Sequence, residues 1–302
     1  MYGRIDILAD PKGGNYAKPI IRKVSGLPYP TDPAYKLPGA KVMHVPDLDV
    51  HTVCATLVEC LHDVKKWVDD HPKAVPIPIL LEFKTAESIG QIIGGSKKIE
   101  WDKADLLDSV DKEIRSVFGA GQLITPDDLR RAPASLEESV LQFGWPDLNS
   151  AKGRVFFIMD NDNNVREVYR AGRANLEGRV IFTNSNPGKP DCAFQKLNDP
   201  TTDDAVANIQ KQVSAGYFVR TRADVPLDTV IKDKCSTAMR DAAFKSGAQV
   251  VSTDFPAYGM SARWECDYAV RLSGGRTARC NPVNGGKNCT EADLEPPEYY
   301  RN

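Results

Sequence analysis

Short apolar runs alternate with segments of helical periodicity along this chain. Residues 53–69 carry apolar side chains at helical spacing, and residues 202–215 and 228–246 also predict helices. Apolar strands that alternate with helices are typical of a parallel sheet covered by helices. About seven strands are predicted, at residues 5–8, 41–44, 77–84, 154–159, 179–183, 217–221 and 249–252.

This alternation predicts an α/β fold, and specifically a (β/α)8 TIM-type barrel that is incomplete at its N-terminus. The first run begins almost at once, at Ile5, so the first barrel strand is the natural candidate for the missing one. The charged helical stretch 102–141 is predicted to be an insertion after the third run. Residues 257–302, rich in Cys, Gly and Pro, are predicted to form a tail that wraps the barrel. We therefore expect one domain over residues 1–302.

The overall charge and hydropathy argue against nucleic-acid binding and against a membrane-spanning segment. The 302-residue chain is 41% hydrophobic and has a formal net charge of -2, so it offers no global basic field to nucleic acid. No apolar run reaches the roughly 18 residues that a membrane span requires. No signal peptide is visible before the first predicted strand.

Seven cysteines indicate a secreted protein with disulfides. None stands in a CxxC pair and only four histidines are present, so a zinc site is not favoured. Asn288 begins a glycosylation sequon, which agrees with secretion. Buried free thiols are the alternative interpretation. The odd cysteine count and the lack of a visible leader together predict that residues before Met1 have been lost.

Polar residues follow the apolar runs directly, at the rim where α/β barrels build their active sites. Glu82 interrupts an apolar strand, and a carboxylate is costly to bury there unless it is paired or binds a metal. The same argument applies to Asp6, so we predict Asp6 and Glu82 as metal ligands. His44 is suited to proton transfer near neutral pH and is the predicted catalytic residue. The other candidates at this rim are Asp10, Lys84, Asp160, Asn161, Arg222, Asp224 and Asp254.

Cationic side chains at the same rim predict an anionic substrate. Lys84 and Arg222 would neutralise a phosphate, and we place both in the substrate site together with Asp254. Carboxylates without a His or Cys cluster favour a hard cation such as Ca²⁺ or Mg²⁺. A metal, a histidine and cations around an anion predict phosphoryl-ester chemistry. Structural alternatives stay open, because Arg222 can pair with Asp224. Asp160 and Asp254 can be turn residues, and a strand-ending histidine is as often structural as functional.

A series of recognisable segments spans nearly the whole chain. In order, it contains ADPKGGNYAKP (9–19), LPGAKVMHVPDLD (37–49), HPKAVPIPILLEFK (71–84), GRVFFIMDN (153–161), RTRAD (220–224), SGAQVVSTDFP (246–256) and GGRTARCNPVN (274–284). This series resembles the secreted calcium-dependent phosphatidylinositol-specific phospholipase C family of microbes. That family is similar in turn to the catalytic barrels of eukaryotic phospholipases C and to glycerophosphodiester phosphodiesterases.

The resemblance implies cleavage of phosphatidylinositol to diacylglycerol and a (cyclic) inositol phosphate, with Ca²⁺ as cofactor. His44 would be the second of two catalytic histidines. Asp6 matches the Asp of a Glu-x-Asp ligand pair, Glu82 matches a further ligand, and Lys84 lies where a cation near the phosphate is expected. Arg4 stands in place of the Glu of the pair and cannot ligate Ca²⁺. The first catalytic histidine and an Asn ligand would precede Met1.

Two other functions are compatible with the same residues. One is a phosphodiesterase that acts on a soluble glycerophosphodiester. The other is a catalytically dead homologue that binds phosphoinositide headgroups, which Arg4 and the missing strand favour. For the first-choice function we expect a secreted monomer that meets phosphatidylinositol transiently at membrane surfaces, with no nucleic-acid partner.

Overall fold

A computed structural model describes residues 3–86 and 92–299, so the two ends of the predicted 1–302 domain lie outside the described residues. The strands are β1 (Gly3–Leu8), β2 (Lys41–Val42), β3 (Ile77–Lys84), β4 (Val155–Met159), β5 (Ile181–Phe182), β6 (Phe194–Lys196), β7 (Phe218–Arg222) and β8 (Val250–Ser252). The α-helices are α1 (Ile20–Val24), α2 (Leu57–Asp70), α3 (Ala104–Val117), α4 (Pro126–Leu129), α5 (Leu136–Phe143), α6 (Leu148–Ala151), α7 (Asn164–Arg170), α8 (Asp203–Ala215), α9 (Ala238–Lys245) and α10 (Glu291–Leu294).

The strands form two sheets. One has five strands in the order β2-β1-β3-β4-β5, and the other has three in the order β6-β7-β8. Every pair is parallel except β1 with β2, and an isolated parallel bridge between Asn184 and Phe194 links the two sheets. Within residues 3–86 and 92–299 no pairing joins β8 to β1 or β2, so the described strands do not close into a barrel.

The second predicted strand differs from its expectation. β2 ends at Val42 and runs antiparallel to β1, with Val42 opposite Ile7. The prediction that His44 ends a parallel barrel strand is therefore wrong, because His44 lies two residues beyond β2 in a turn. Asp47 in this turn has a φ of 69°, and the backbone N–H of Asp49 returns to the carbonyl of Val45. A chain that folds back this tightly cannot continue as a strand.

Two helices also begin or end away from the predicted positions, for local reasons. α2 begins at Leu57 rather than near residue 53, because Thr56 and Glu59 cap its N-terminus reciprocally. The predicted helix 228–246 is split, because Lys234 and Cys235 both adopt positive φ angles (47° and 62°) that a helix does not accommodate.

The strand β6 is not among the predicted strands, since three residues are too few to show a period.

One large apolar core joins the five-stranded sheet to α2 and α3. On β3, the residues Ile79, Leu81 and Phe83 are buried in this core. Glu82 and Lys84 alternate with them and project from the opposite face, as the two-residue period of a strand requires. The charged side chains therefore occupy only the C-terminal part of this second face, since Leu80 on the same face is fully buried in the core.

Three disulfides join Cys54 to Cys60, Cys235 to Cys266 and Cys280 to Cys289. The seventh cysteine, Cys192, is free and fully buried, and its thiol donates to the carbonyl of Ser185. The expectation of a disulfide-bearing chain is confirmed. None of the helices in the described ranges combines the length and the apolar character needed to cross a membrane.

A buried ion pair lies behind β5. Asp191 is fully buried, and both of its carboxylate oxygens lie 2.7 Å from the guanidinium of Arg166. Thr183 and Ser185 donate their hydroxyls to the same carboxylate. Since Asp191 is desolvated and both of its oxygens accept hydrogen bonds, removing it would leave Arg166 with only the largely exposed Glu167 as a charged partner.

We predict that Asp191→Ala lowers the free energy of unfolding by about 3–5 kcal/mol, because Arg166 loses its fully buried partner and keeps only Glu167 at the surface. Urea unfolding of the oxidised protein measures this change. The matched control is Asp228→Ala, which removes an exposed pair with Lys232 and is expected to change stability by less than about 1 kcal/mol. Equal losses in the two variants would contradict the prediction.

Candidate active site

Four charged residues of β1 and β3 form a charge cluster at the centre of the candidate site. The parallel register places Asp6 opposite Glu82 and Leu8 opposite Lys84. Side chains of Arg4, Asp6, Glu82 and Lys84 therefore project from the same face of the sheet. We call these four residues the β1–β3 charge cluster.

Each carboxylate of the cluster contacts both cations. Arg4 Nε lies 2.9 Å from Asp6 Oδ1, and Lys84 Nζ lies 2.8 Å from Asp6 Oδ2. Arg4 Nη1 lies 3.4 Å from Glu82 Oε2, and Lys84 Nζ lies 3.9 Å from Glu82 Oε1. The cluster holds two negative and two positive charges, so the carboxylates compensate the cations within it.

Burial differs across the cluster. Asp6 is buried, Glu82 and Lys84 are partly exposed, and the side chain of Arg4 is 43% exposed. Burial raises the pKa of Glu82, and the Asp6 carboxylate raises it further, whereas Arg4 and Lys84 oppose the shift. The two carboxylates thus repel each other and depend on the two cations beside them.

His44 adjoins the cluster through Lys84, whose Nζ donates to the His44 carbonyl at 3.2 Å. The imidazole is half exposed, and its Nδ1 lies 3.0 Å from Asp49 Oδ2. When the neutral ring donates from Nδ1 to this carboxylate, Nε2 is left free to accept a proton. A cavity of about 240 Å³ is lined by His44, Val45, Pro46, Lys84 and Thr85. A proton-transfer group and a cation therefore share one pocket.

Asp47 holds the turn that carries His44. Its carboxylate is buried and accepts from the backbone N–H groups of Ile20 at 3.2 Å and Ser96 at 2.8 Å. Its carbonyl accepts from the N–H of Ile21 at 2.9 Å. Three chain segments, at residues 20–24, 45–49 and 92–96, are thereby tied together beside the catalytic candidate.

The end of β4 adds a second ion pair next to the cluster. Asp160 Oδ2 lies 2.8 Å from Lys196 Nζ, and the Asp160 carboxylate also raises the pKa of Glu82. The next residue, Asn161, accepts from the N–H of Phe83 at 2.8 Å and donates to its carbonyl. Asn161 thus ties the end of β4 to β3, and Asp160 is an ion-paired residue at the rim.

The remaining predicted substrate residues have other partners. Arg222 donates from Nε to Asp199 at 2.7 Å, so it does not form the alternative pair with Asp224. Asp224 instead accepts from Thr253 and from the N–H of Asp254 at 3.0 Å. In the part of the chain that the structure describes, no recorded contact joins Arg222 or Asp254 to His44 or the charge cluster.

Asp10, another sequence candidate, has a structural partner. It is buried 3.4 Å from the fully buried Lys41 ammonium, which also donates to the carbonyls of Leu37 and Gly39. Burial raises the pKa of Asp10, and Lys41 opposes the shift. This pair fixes the approach of β2 to β1 and lies apart from the cavity at His44.

A calcium ion does not fit the charge cluster as it stands. Ca²⁺ usually takes about six to eight oxygen ligands. The residues in the described ranges contain no group of three or more His, Cys, Asp or Glu side chains placed to hold a metal. The two predicted ligands, Asp6 and Glu82, do adjoin each other, but Arg4 and Lys84 already contact all of their carboxylate oxygens.

Sequence reasoning missed three residues of this site. Asp49 follows His44 by five positions, and the carboxylate-rich run after Pro46 was a visible signal for it. Asp47 was hidden because its role depends on a left-handed backbone angle. Lys196 lies on β6, the strand that was too short to predict.

Comparison with known proteins bears on the family and the fold of this chain. The family model for phosphoinositide phospholipase C, Ca²⁺-dependent, matches residues 4–282 of the chain. None of the curated proteins compared with the chain matches it. The chain is similar in fold to a calcium-dependent phosphoinositol-specific phospholipase C from the Gram-negative bacterium Pseudomonas sp. in its apo form. That likeness has a TM-score of 0.52 and 16% identity, and it covers 89% of this chain and 82% of that one.

A second solved structure leads to the same fold. The Ca²⁺-dependent phosphatidylinositol-specific phospholipase C from Streptomyces antibioticus has a TM-score of 0.53 and 16% identity, over 84% of each chain. The predicted α/β class is confirmed by these likenesses, although the described strands leave the barrel open. Because the family model spans most of its length, the chain belongs to the family of Ca²⁺-dependent phosphoinositide phospholipases C.

Proposed function

We propose that this protein is a phosphoric diester hydrolase that cleaves phosphatidylinositol to diacylglycerol and a (cyclic) inositol phosphate. One observation carries the proposal in this chain. His44 is paired at Nδ1 to Asp49 and shares a cavity of about 240 Å³ with Lys84. Family membership supplies the reaction class, and this pocket supplies one proton-transfer group and one cation for it.

The proposed chemistry needs a proton transfer and charge neutralisation. The inositol 2-hydroxyl oxygen forms a bond to phosphorus, and the bond from phosphorus to the diacylglycerol oxygen breaks. His44 either accepts the proton of the attacking hydroxyl or donates a proton to the leaving oxygen, and solvent water carries the other proton. Lys84 offsets the negative charge that develops on the phosphate. Asp49 holds the imidazole so that Nε2 faces the reaction.

The family is described as Ca²⁺-dependent, whereas Asp6 and Glu82 of this chain are paired with cations. The proposed chemistry therefore uses His44, Asp49 and Lys84 alone.

We propose an extracellular location, which three disulfides support, since such bonds persist in oxidising compartments.

Exposed apolar side chains beside His44 support action at a lipid surface. Val24, Leu48 and Ile92 are 77%, 64% and 81% exposed. They lie on the three segments that Asp47 ties together, and we call them the apolar rim. Exposed apolar side chains grouped near a site are typical of membrane contact. We propose that the apolar rim meets the bilayer while His44 reaches the headgroup.

We predict that His44→Ala lowers turnover of phosphatidylinositol vesicles at least about 100-fold, because it removes a general acid–base. Release of inositol phosphate by the full chain measures this effect. The matched control is His62→Ala, an exposed histidine on α2 that should leave turnover unchanged.

Two results would contradict the proposed function. Wild-type protein that binds the vesicles without turnover would favour a non-catalytic binding protein. Turnover of a soluble glycerophosphodiester without turnover of vesicles would favour the glycerophosphodiester phosphodiesterase.

We predict that Asp49→Asn lowers kcat about tenfold with little change in KM, because Asp49 positions the imidazole without touching the substrate. Steady-state kinetics on vesicles separates the two constants. A rise in KM at constant kcat would assign Asp49 to substrate binding instead.

We predict that Val24→Ser combined with Leu48→Ser weakens vesicle binding about tenfold or more, because two apolar side chains no longer enter the bilayer. Sedimentation with phosphatidylinositol vesicles measures binding. Leu141→Ser on α5 is the control, since Leu141 is exposed but lies outside the apolar rim. Equal binding by the double variant and the control would remove the apolar rim from the proposal.

A further inference from the structure

We propose that Arg4 takes the place of a metal cation in this site. In this proposal Asp6 and Glu82 hold the Arg4 guanidinium, and the site works without Ca²⁺. The exposed part of the guanidinium faces the substrate phosphate. This contact with the phosphate rests on the proposed function.

The geometry of the charge cluster carries the proposal. All four carboxylate oxygens of Asp6 and Glu82 lie within 4 Å of a cationic nitrogen of Arg4 or Lys84, at distances of 2.9, 2.8, 3.4 and 3.9 Å. A divalent cation that bound between the two carboxylates would meet both cations at once. Its entry would require Arg4 and Lys84 to leave, and the buried Asp6 would lose both partners.

Arginine is well suited to such a position. The guanidinium is always charged and presents five donors in a planar arrangement, so one side chain can contact two carboxylates. Arg4 does this across the β1–β3 ladder, through Nε to Asp6 and Nη1 to Glu82. Like a bound metal ion, it offsets the repulsion between two neighbouring carboxylates, but it does so as part of the polypeptide.

The exposure of Arg4 gives it a second role. Its side chain is 43% exposed, whereas that of Asp6 is 9% exposed. Part of the guanidinium is therefore open to solvent, and Lys84 of the same cluster lines the His44 pocket. Arginine binds phosphate with paired hydrogen bonds, so Arg4 and Lys84 can receive the diester as two cations.

The first experiment measures Ca²⁺ binding without reference to activity. Isothermal titration with CaCl₂ compares the full wild-type chain with Glu82→Gln, Arg4→Lys and Arg4→Glu. We expect the wild-type chain to bind no Ca²⁺ at a site that depends on Glu82. Arg4→Lys keeps a cation at this position, so it should bind no Ca²⁺ there either. Arg4→Glu adds a third carboxylate, so it should gain Ca²⁺ affinity, and its Tm should rise by about 3 °C at tenfold excess over Kd.

The outcomes separate clearly. Ca²⁺ binding by wild type that Glu82→Gln abolishes would overturn the proposal. Failure of a folded Arg4→Glu protein to gain affinity would also overturn it, because Arg4 would then not be what keeps the metal out. Should Arg4→Glu not fold, the comparison of wild type with Glu82→Gln still decides the question.

The second experiment concerns the phosphate. Wild-type turnover of phosphatidylinositol vesicles should be the same in a chelator as in millimolar CaCl₂, whereas Arg4→Gln should lower it at least about tenfold. Turnover that the chelator abolishes would overturn the metal-free site while leaving the proposed function in place. Lack of turnover under both conditions would instead contradict the proposed function. The Ca²⁺ titrations would then still test whether Arg4 occupies the metal position.

Discussion

The site depends on one constraint: two carboxylates occupy neighbouring positions on adjacent parallel strands. The register of β1 and β3 brings Asp6 opposite Glu82, and burial removes much of the water that would otherwise screen them. Such a pair is stable only with positive charge beside it. Arg4 and Lys84 supply that charge from the same two strands, so the solution is local to one ladder.

This compensation also organises the surroundings. Lys84 belongs to the cluster and also donates to the carbonyl of His44, so the catalytic candidate is positioned by the same ammonium that neutralises Asp6. On the other side, Asn161 fixes β4 to the backbone of Phe83. The apolar face of β3 anchors the ladder in the main core, which keeps the charged face in a defined position.

The sequence predicted residues and elements correctly where the signal lies in neighbouring positions along the chain. Glu82 was identifiable because a carboxylate interrupts an apolar strand, and long amphipathic helices such as α2 and α8 showed their period plainly. The antiparallel course of β2 was not accessible, because it depends on the buried pair of Asp10 with Lys41 and on the turn at Asp47. The partner of Arg222 is Asp199, 23 positions earlier, and no local pattern announces such a pairing. Likewise, the sequence showed Arg4 at a ligand position, but only the register shows that it contacts both carboxylates.

The turn around Asp47 has a geometric consequence. Leu48 of the apolar rim follows His44 by four residues within one hydrogen-bonded turn, so no flexible linker separates the two. In the proposed function, the height of the imidazole above the hydrocarbon boundary is therefore set by the backbone itself. The turn would thereby select substrates by depth: His44 would reach a diester whose phosphorus lies at the height of the imidazole, and would not reach a diester whose phosphorus lies higher or lower.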